Sequence, residues 1–232
     1  MGQMAKRVLF ALTSQTDMGG GAKTGSWLEE LAASYYTLVD KGVAVDLASV
    51  NGGDAPIDPA SLEEPWITDN GRRFLKDDAA MAKLRNSLKL SDVKAADYDA
   101  VYMIGGAGTA WDFPDNAALG AIMADIDGRG GVVAGVCHGV CGFLNKRDGK
   151  AFGAGRKLTA ISDREDEMAG FDKLVPLLPE RTLRAAGAEV VCGAPFEAHV
   201  VVDGNYVTGQ NPASAAGVAE AILQQLGALI RT

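Results

Sequence analysis

The sequence predicts an α/β protein built on a doubly wound, mostly parallel sheet with helices on both faces. Two observations favour this class. Short apolar runs bounded by glycine, which are typical of buried parallel strands, alternate with segments of helical periodicity along the whole chain. In addition, segments 13–25, 105–109 and 137–139 are rich in glycine or polar residues and follow predicted strands, which is where doubly wound sheets bind their ligands.

The predicted strands are apolar runs of suitable length, each bounded by glycine or polar residues. Continuous apolarity is what a strand buried on both faces requires. The Asp203-Gly204 pair between the last two runs is a hairpin turn signal. The predicted strands cover residues 7–14, 43–49, 98–104, 130–136, 158–161, 190–192, 199–202 and 205–208.

The predicted helices have apolar residues recurring at three-and-four spacing. Residues 51–90 differ from the rest, because three prolines and a charged helical stretch replace the strand–helix alternation. We interpret this segment as a small cap or insertion in a single domain of residues 1–232. The acidic tract Asp163–Glu167 follows a strand end and is expected to be a solvated loop at the rim of a pocket. The predicted helices cover residues 26–39, 72–88, 116–129, 174–186 and 211–229.

Composition excludes several classes of function. The chain has 232 residues, of which 47% are apolar, and a net charge of −8, which disfavours nucleic acids and anionic membranes as partners. Three cysteines and two histidines cannot form a structural metal cluster, and the odd cysteine count suggests a reducing compartment. Because we find no signal peptide and no run of about 18 apolar residues, we expect a cytoplasmic protein.

A candidate nucleophile lies where the fourth predicted strand ends. The apolar run 132–136 stops at Cys137-His138-Gly139, and helical spacing resumes at once. A strand that turns directly into a helix at one nucleophilic residue is a nucleophile elbow. Gly135 and Gly139 flank the turn, where larger side chains would collide. Since a helix N-terminus favours an anion, we expect the Cys137 thiol to have a lowered pKa and to be largely ionised.

Several neighbours could assist this thiol. His138 could act as acid or base towards a substrate held over Cys137. The backbone N–H of His138, with that of Gly106 or Ala107 at the neighbouring strand end, could stabilise an oxyanion. A carboxyl from the first helix could hold the thiol, although position alone does not separate Glu29 from Glu30.

The remaining cysteines and the second histidine carry weaker signals. Cys141 lies four residues after Cys137 and could be a resolving thiol, although packing is the simpler interpretation. Cys192 has no recognisable context, and His199 is more typical of a structural strand residue.

Several short motifs, spread in order over nearly the whole chain, match one known family. They are Leu12-Thr13-Ser14, Gly21-Ala22-Lys23-Thr24-Gly25 followed by Glu30, Ala55-Pro56-Ile57-Asp58-Pro59, Asp97-Tyr98-Asp99-Ala100, Gly105-Gly106-Ala107-Gly108-Thr109 with Trp111-Asp112-Phe113-Pro114, Ala134–Gly139, and Thr208-Gly209-Gln210-Asn211-Pro212-Ala213-Ser214. With these motifs the sequence resembles the ThiJ/PfpI superfamily, within the glutamine-amidotransferase-like fold, and most of all its branch of glutathione-independent glyoxalases (glyoxalase III) and heat-inducible chaperone-like proteins.

The resemblance implies a flavodoxin-like sheet and a set of site residues. Cys137 would be the nucleophile, His138 the acid/base, and Glu30, rather than Glu29, the carboxyl beside the thiol. The main chain of Gly106, Ala107 and His138 would surround the oxyanion. The glyoxalase branch commonly has histidine where this chain has Ala107.

The expected activity is conversion of methylglyoxal or a related 2-oxoaldehyde to a 2-hydroxy acid through a hemithioacetal on Cys137. No metal and no organic cofactor is expected. The expected partners are a small carbonyl substrate and a second copy of the chain in a homodimer. Three alternatives stay open: a holdase-type chaperone, a redox sensor that oxidises at Cys137, and a cysteine amidase or peptidase. Glutamine hydrolysis is disfavoured, because Val201 stands where that chemistry would need a glutamate after His199.

Overall fold

The central sheet has seven strands in the described part of the chain, and six of them are parallel. In a computed structural model that describes residues 6–228, the sheet order is β12-β13-β7-β6-β1-β4-β5, with only β12 antiparallel to its neighbour. The strands are β1 (Arg7–Leu12), β2 (Asp17–Gly19), β3 (Ala22–Lys23), β4 (Ala44–Ser49), β5 (Leu88–Lys89), β6 (Ala100–Met103), β7 (Val132–Val136), β8 (Lys146–Arg147), β9 (Lys150–Ala151), β10 (Lys157–Leu158), β11 (Glu189–Val190), β12 (Val200–Asp203) and β13 (Tyr206–Gly209).

Helices cover both faces of this sheet, so the predicted doubly wound fold is confirmed. The side chains of α1 and α8 pack into one apolar core, and those of α5 and α7 into another. The predicted end of the last helix at Leu229 falls outside the described residues. The α-helices are α1 (Leu28–Val39), α2 (Asp69–Lys76), α3 (Asp78–Arg85), α4 (Thr109–Asp112), α5 (Ala117–Gly128), α6 (Asp163–Ala169), α7 (Pro179–Ala185) and α8 (Ala215–Ala228).

The sheet brings the predicted ligand-binding segments to one edge. The chain extends outward from β1 in two directions, through β4 on one side and β6 on the other. The carboxyl ends of β1, β6 and β7 therefore lie side by side at the point where the winding reverses. Gly105 follows β6 and Cys137 follows β7 directly, so both lie at this edge.

The segment 51–90 differs from its sequence prediction in two ways. The helix expected over 72–88 is two helices, because the Asp77 side chain accepts hydrogen bonds from the backbone of Ala79 and Ala80 and so begins a new helix. The segment also returns to the sheet, since β5 pairs in parallel with β4 and forms its edge.

The second half of the chain contains shorter strands than predicted. The run 158–161 contributes only β10, which pairs with β11 in a separate two-stranded sheet. The expected hairpin is present, with β12 and β13 antiparallel around the turn at Gly204. In the range 6–228, no helix has both the length and the apolarity that crossing a bilayer requires.

The tight turn after β7 depends on a glycine. A Cβ added to Gly139 would overlap the carbonyl oxygen of Met103 at the end of β6, and one added to Gly135 would lie 3.2 Å from the Phe143 ring. The turn therefore sits against the neighbouring strand with no room for a methyl group at position 139.

We expect Gly139→Ala to lower the free energy of unfolding by about 1–3 kcal/mol, because backbone must move to admit the methyl group. Gly128→Ala is the matched control, since a Cβ at this helical position meets nothing within 4 Å among the described residues. It should be neutral or slightly stabilising. Urea unfolding followed by circular dichroism measures the free energy of unfolding of both variants. Equal changes in the two variants would contradict the close approach of the turn to the strand.

Candidate active site

Cys137 has the backbone conformation of a nucleophile elbow. Its φ angle is +56°, a left-handed value that a cysteine rarely adopts. The residue begins a 3-10 helix, Cys137–Leu144, immediately after β7. Its side chain is buried, at 6% exposure, and faces a cavity. Strain of this kind persists only where surrounding structure imposes it, and it concentrates at functional sites.

Glu30, in the first turn of α1, is the carboxyl beside this thiol. Its side chain is fully buried, at 0% exposure, and its Oε2 accepts a hydrogen bond from the Gly105 backbone N–H at 2.8 Å. The carboxyl also interacts with the Cys137 thiol, while Oε1 has no partner in good hydrogen-bond geometry among residues 6–228. Glu29 points elsewhere and accepts a hydrogen bond from Thr68.

The environment of Glu30 keeps its proton on near neutral pH. Burial raises the pKa of this carboxyl from 4.5 to about 8, although the contacts with the Cys137 thiol and the Gly105 N–H oppose the change. A protonated Glu30 places no negative charge next to the sulfur. Its O–H can also donate a hydrogen bond to the sulfur as negative charge develops there.

The expected lowering of the Cys137 pKa is wrong in direction. Burial raises the pKa of the Cys137 thiol well above its ordinary value, and negative charge on the carboxyls of Glu30 and Asp166, where it is present, raises it further. The His138 backbone N–H lowers it by donating to the sulfur, but it does not offset the burial. The sequence showed the helix N-terminus and could not show how deeply the sulfur is buried. A neighbouring base would therefore assist ionisation of this thiol.

The His138 ring lies where such a base would have to be. Its Nδ1 lies 3.5 Å from the Cys137 Sγ, even though adjacent residues seldom point the same way. Its Nε2 lies 3.0 Å from the Asp166 Oδ1, although the ring N–H is not well aligned with that oxygen. A carboxylate at Nε2 favours the tautomer with the proton there, which leaves the Nδ1 lone pair facing the sulfur. The three side chains form a thiol–imidazole–carboxylate series.

Asp166 is the site residue that the sequence analysis missed. The acidic tract Asp163–Glu167 is not a solvated loop but the first turns of α6, and both Glu165 and Asp166 are fully buried. A signal for the helix was present, because Ser162 and Glu165 form a capping box at its N-terminus. Burial of its third and fourth residues depends on what packs against the helix, and no local pattern reveals that.

Glu165 fixes the position of this helix. Its Oε2 accepts hydrogen bonds from the backbone and hydroxyl of Ser162 and from the Gln210 amide, at 2.7–2.9 Å. Its Oε1 accepts from the backbone N–H of Phe196 and from the Asn211 amide, at 2.7 and 2.8 Å. Five donors offset the cost of burying the charge. The same bonds join α6 to two loops at the end of the sheet.

Backbone N–H groups also surround the sulfur. Gly106 and Ala107 follow the end of β6 and line the same cavity as Cys137, and their N–H groups make no hydrogen bond within the described range. Gly106 has a φ of +117°, and a Cβ there would overlap the Gly25 carbonyl oxygen. The loop can therefore take only glycine at this point. The His138 N–H is directed at the sulfur itself.

The cavity in front of the sulfur has a volume of about 320 Å³ and a largely apolar wall. Segment 51–90 contributes two of its side chains, Ala60 and Trp66. The Trp66 ring meets that of Trp27, at the start of α1, edge to face at a centroid distance of 5.9 Å. The lining residues are Trp27, Ala60, Trp66, Gly106, Ala107, Cys137, His138, Ile161, Glu165, Ala169, Phe171, Phe196 and Pro212.

The other three candidates lie away from this cavity. Cys141 is fully buried in the apolar core on the opposite face of the sheet from Cys137, as the packing interpretation requires. The sulfur of Cys192 contacts the Ala160 carbonyl at 3.7 Å, and burial raises the pKa of this thiol to about 11. His199 donates its backbone N–H to Ser214, and it does not line the cavity.

Among residues 6–228, no three His, Cys, Asp or Glu side chains are grouped to hold a metal ion.

We expect Glu30→Gln to stabilise the protein by an amount that grows with pH. The folded-state pKa of about 8 lies above the ordinary 4.5, so the folded protein binds more protons than the unfolded chain between these values. The free energy of unfolding therefore falls as pH rises from about 4.5 to about 8, and glutamine removes this loss.

Urea titrations at a series of pH values test this, with Glu29→Gln as the matched control on the neighbouring, partly exposed carboxyl. The difference between Glu30→Gln and wild type should widen across this window and then level off. For Glu29→Gln, the difference in free energy of unfolding from wild type should change less with pH. A difference that does not vary with pH would show that Glu30 ionises with an ordinary pKa.

Comparison with known proteins places the chain in a family. The model of the DJ-1/PfpI family matches residues 22–225. A glutathione-independent glyoxalase of Saccharomyces cerevisiae is 32% identical over 222 residues, which cover 90% of this chain and 93% of the relative.

Two solved structures are similar along nearly the whole chain. The Rapid Encystment Protein of Francisella tularensis has a TM-score of 0.90 at 37% identity and covers 95% of this chain and 99% of its own. Glyoxalase III of Candida albicans has a TM-score of 0.85 at 29% identity and covers 95% and 97%. Together with the sheet order and the elbow at Cys137, these similarities establish that the chain belongs to the DJ-1/PfpI family.

Proposed function

We propose that this protein is a glutathione-independent glyoxalase, which converts a 2-oxoaldehyde such as methylglyoxal and water to a 2-hydroxy acid. One observation carries the proposal: a buried thiol, Cys137, lies between the buried Glu30 carboxyl and an imidazole that contacts Asp166, at the end of an apolar cavity. The similarity to glyoxalases in sequence and in structure supports it.

The first step is addition of the thiol to the aldehyde. The Cys137 Sγ bonds to the aldehyde carbon while His138 Nδ1 removes the thiol proton, and the aldehyde oxygen takes a proton to complete the hemithioacetal. The resting thiol is protonated, so this transfer to His138 is part of the addition. Asp166 stabilises the imidazolium that forms between the two transfers. The N–H groups of Gly106 and Ala107 are placed to stabilise negative charge on an oxygen of the substrate.

The second step moves a proton between the two carbons. His138 removes the proton from the carbon that bears sulfur while the ketone oxygen takes a proton, which gives an enediol. His138 then returns its proton to the neighbouring carbon while the hydroxyl on the sulfur-bearing carbon gives up its proton, so that a thioester of the 2-hydroxy acid forms with no net change in protons. Water then cleaves the thioester, releases the acid and restores the Cys137 thiol. No net oxidation or reduction occurs, since one carbon is oxidised as its neighbour is reduced. His138 serves as both base and acid.

Glu30 keeps the sulfur environment neutral. While its proton is present, its O–H can donate to sulfur as the thiolate develops, and no carboxylate charge opposes that thiolate. At pH above about 8, the carboxylate forms and disfavours negative charge on the sulfur. The proposed role of this residue is thus to permit ionisation of the thiol only as it reacts.

Acyl transfer is the second candidate, because a thiol, an imidazole and a carboxylate in series also suit a cysteine amidase or peptidase. The burial of Cys137 does not favour redox sensing, since susceptibility to oxidation follows thiolate character and exposure. The holdase alternative, the homodimer, the cytoplasmic location and the single domain with 51–90 as cap or insertion stay predictions.

The direct test is formation of lactate from methylglyoxal without glutathione. We expect Cys137→Ala to abolish it, because the substrate then has no nucleophile to add to. Cys192→Ala is the matched control and should retain activity, since Cys192 lies outside the cavity. Hydrolysis of a small ester or amide is measured in parallel. Lactate formation that survives in Cys137→Ala, or hydrolysis without lactate formation, would overturn the proposal.

The role of Asp166 has its own test. We expect Asp166→Asn to lower kcat about 100-fold with a smaller change in KM, because the imidazolium loses its carboxylate while the cavity wall is retained. Asp163→Asn, on the same helix but bonded to Arg181, should change kcat little. Equal kcat values for wild type and Asp166→Asn would remove Asp166 from the mechanism.

A further inference from the structure

We infer that the cavity selects neutral 2-oxoaldehydes with a bulky apolar group, above all an aromatic ring, over methylglyoxal, and that Trp27 and Trp66 determine this specificity. The inference rests on the proposed function and deepens it. Three features of the cavity carry it: its size, the composition of its wall and its charge.

The cavity is too large for the smallest 2-oxoaldehyde. Its volume is about 320 Å³, whereas an apolar cavity of about 150 Å³ already accommodates benzene. Methylglyoxal has only a methyl group beyond its two carbonyl carbons, so it would leave most of this space without contacts. A substrate with a six-membered ring beside the dicarbonyl group would fill it and remove more apolar surface from water.

The wall is built of aromatic and aliphatic side chains. Its apolar members include Trp27, Trp66, Ile161, Phe171 and Phe196. Trp27 and Trp66 already meet edge to face, at a centroid distance of 5.9 Å and an angle of 75°. Phe171 lies edge-on to the His138 ring at 6.1 Å, so this aromatic surface reaches the reacting groups. A substrate ring would find several partners at the distances that aromatic pairs prefer.

The side chains of the wall are buried near the sulfur and partly exposed at the open end of the cavity. Cys137 is 6% exposed, whereas Trp66 and Phe196 are 48% and 42% exposed. Both side chains line the same cavity, and exposed apolar side chains that share one surface mark a ligand-binding groove more often than scattered ones do. Trp66 belongs to segment 51–90, and Phe196 belongs to a loop whose backbone donates a hydrogen bond to Glu165. Two separate parts of the chain thus place an aromatic ring at the open end of the cavity.

The charge around the cavity disfavours anionic substrates. Among the described residues that line it, none is Lys or Arg, so no permanent cation could bind a carboxylate or phosphate group. Glu165 lines the wall with both oxygens occupied by donors, and Asp166 lies behind His138. An anionic group on the substrate would lose its water without gaining an ion pair, next to existing negative charge.

The experiment compares kcat/KM for methylglyoxal, phenylglyoxal and 4-carboxyphenylglyoxal in the wild-type protein and in Trp66→Ala. Trp66 is half exposed, so its loss should not prevent folding. In the wild type, phenylglyoxal should exceed methylglyoxal and 4-carboxyphenylglyoxal at least about 10-fold. Trp66→Ala should lower the value for phenylglyoxal about 10-fold and that for methylglyoxal less than about 3-fold. The two aldehydes differ in intrinsic chemical reactivity. Because this difference is the same in both proteins, it cancels when the ratio of their kcat/KM values in Trp66→Ala is compared with the ratio in the wild type.

Leu75→Ala is the matched control, because Leu75 is an exposed apolar residue of α2 that does not line the cavity. This variant should leave the ratio of kcat/KM for phenylglyoxal to kcat/KM for methylglyoxal unchanged. If Cys137-dependent turnover occurs but Trp66→Ala lowers both values equally, or the carboxylated substrate matches phenylglyoxal, this inference is overturned while the proposed function stands. If none of the aldehydes gives a 2-hydroxy acid, the proposed function fails and this inference with it.

Discussion

The buried contact between Glu30 and Cys137 is the interaction on which the rest of the site depends. A carboxyl with no exposure to water costs free energy unless it keeps its proton or finds partners, and this one does both. The contact requires the start of α1 to approach the end of β6 closely. The Trp27 N–H donates to the Gly105 carbonyl at 3.0 Å, and the Gly105 N–H donates to Glu30 at 2.8 Å. A side chain at position 105 would occupy the space of the carboxyl itself.

A second set of constraints places the imidazole. Cys137 is held in a left-handed backbone conformation by a turn that has no room at Gly139, and this directs His138 towards both the sulfur and α6. The helix in turn is fixed by the five hydrogen bonds to Glu165. The two buried acids of α6 thus act differently: Glu165 holds the helix and a loop of the cavity wall, and Asp166 faces the imidazole.

The sheet and the elbow could be predicted from the sequence because local patterns encode them. Apolar runs bounded by glycine gave the strand positions, and the glycines around Cys137 gave the sharp turn. The choice between Glu29 and Glu30 came only from the family resemblance. Adjacent helical positions differ by about 100° around the axis, so a small uncertainty in the apolar face leaves both possible.

The thiol pKa and Asp166 could not be predicted, because both depend on tertiary burial. A run of five charged residues is ordinarily solvated, and charged side chains are seldom fully buried unless they are paired. The side chains and backbone that pair with the neighbouring Glu165 and fix this helix in its buried position belong to Phe196, Gln210 and Asn211, which lie 31–46 residues away from Glu165 in the chain. Likewise, the helix N-terminus at Cys137 indicated a lowered pKa, but desolvation by surrounding elements reversed that direction.

The most direct measurement of the central claim is the protonation state of Glu30. Infrared difference spectra of wild type minus Glu30→Gln, recorded across a pH series, isolate the carbonyl stretch of a protonated carboxyl group. A proton retained by burial predicts such a band at neutral pH, with a midpoint of about 8 for its loss. Absence of the band at neutral pH, or a midpoint near the ordinary value of 4.5, would contradict it.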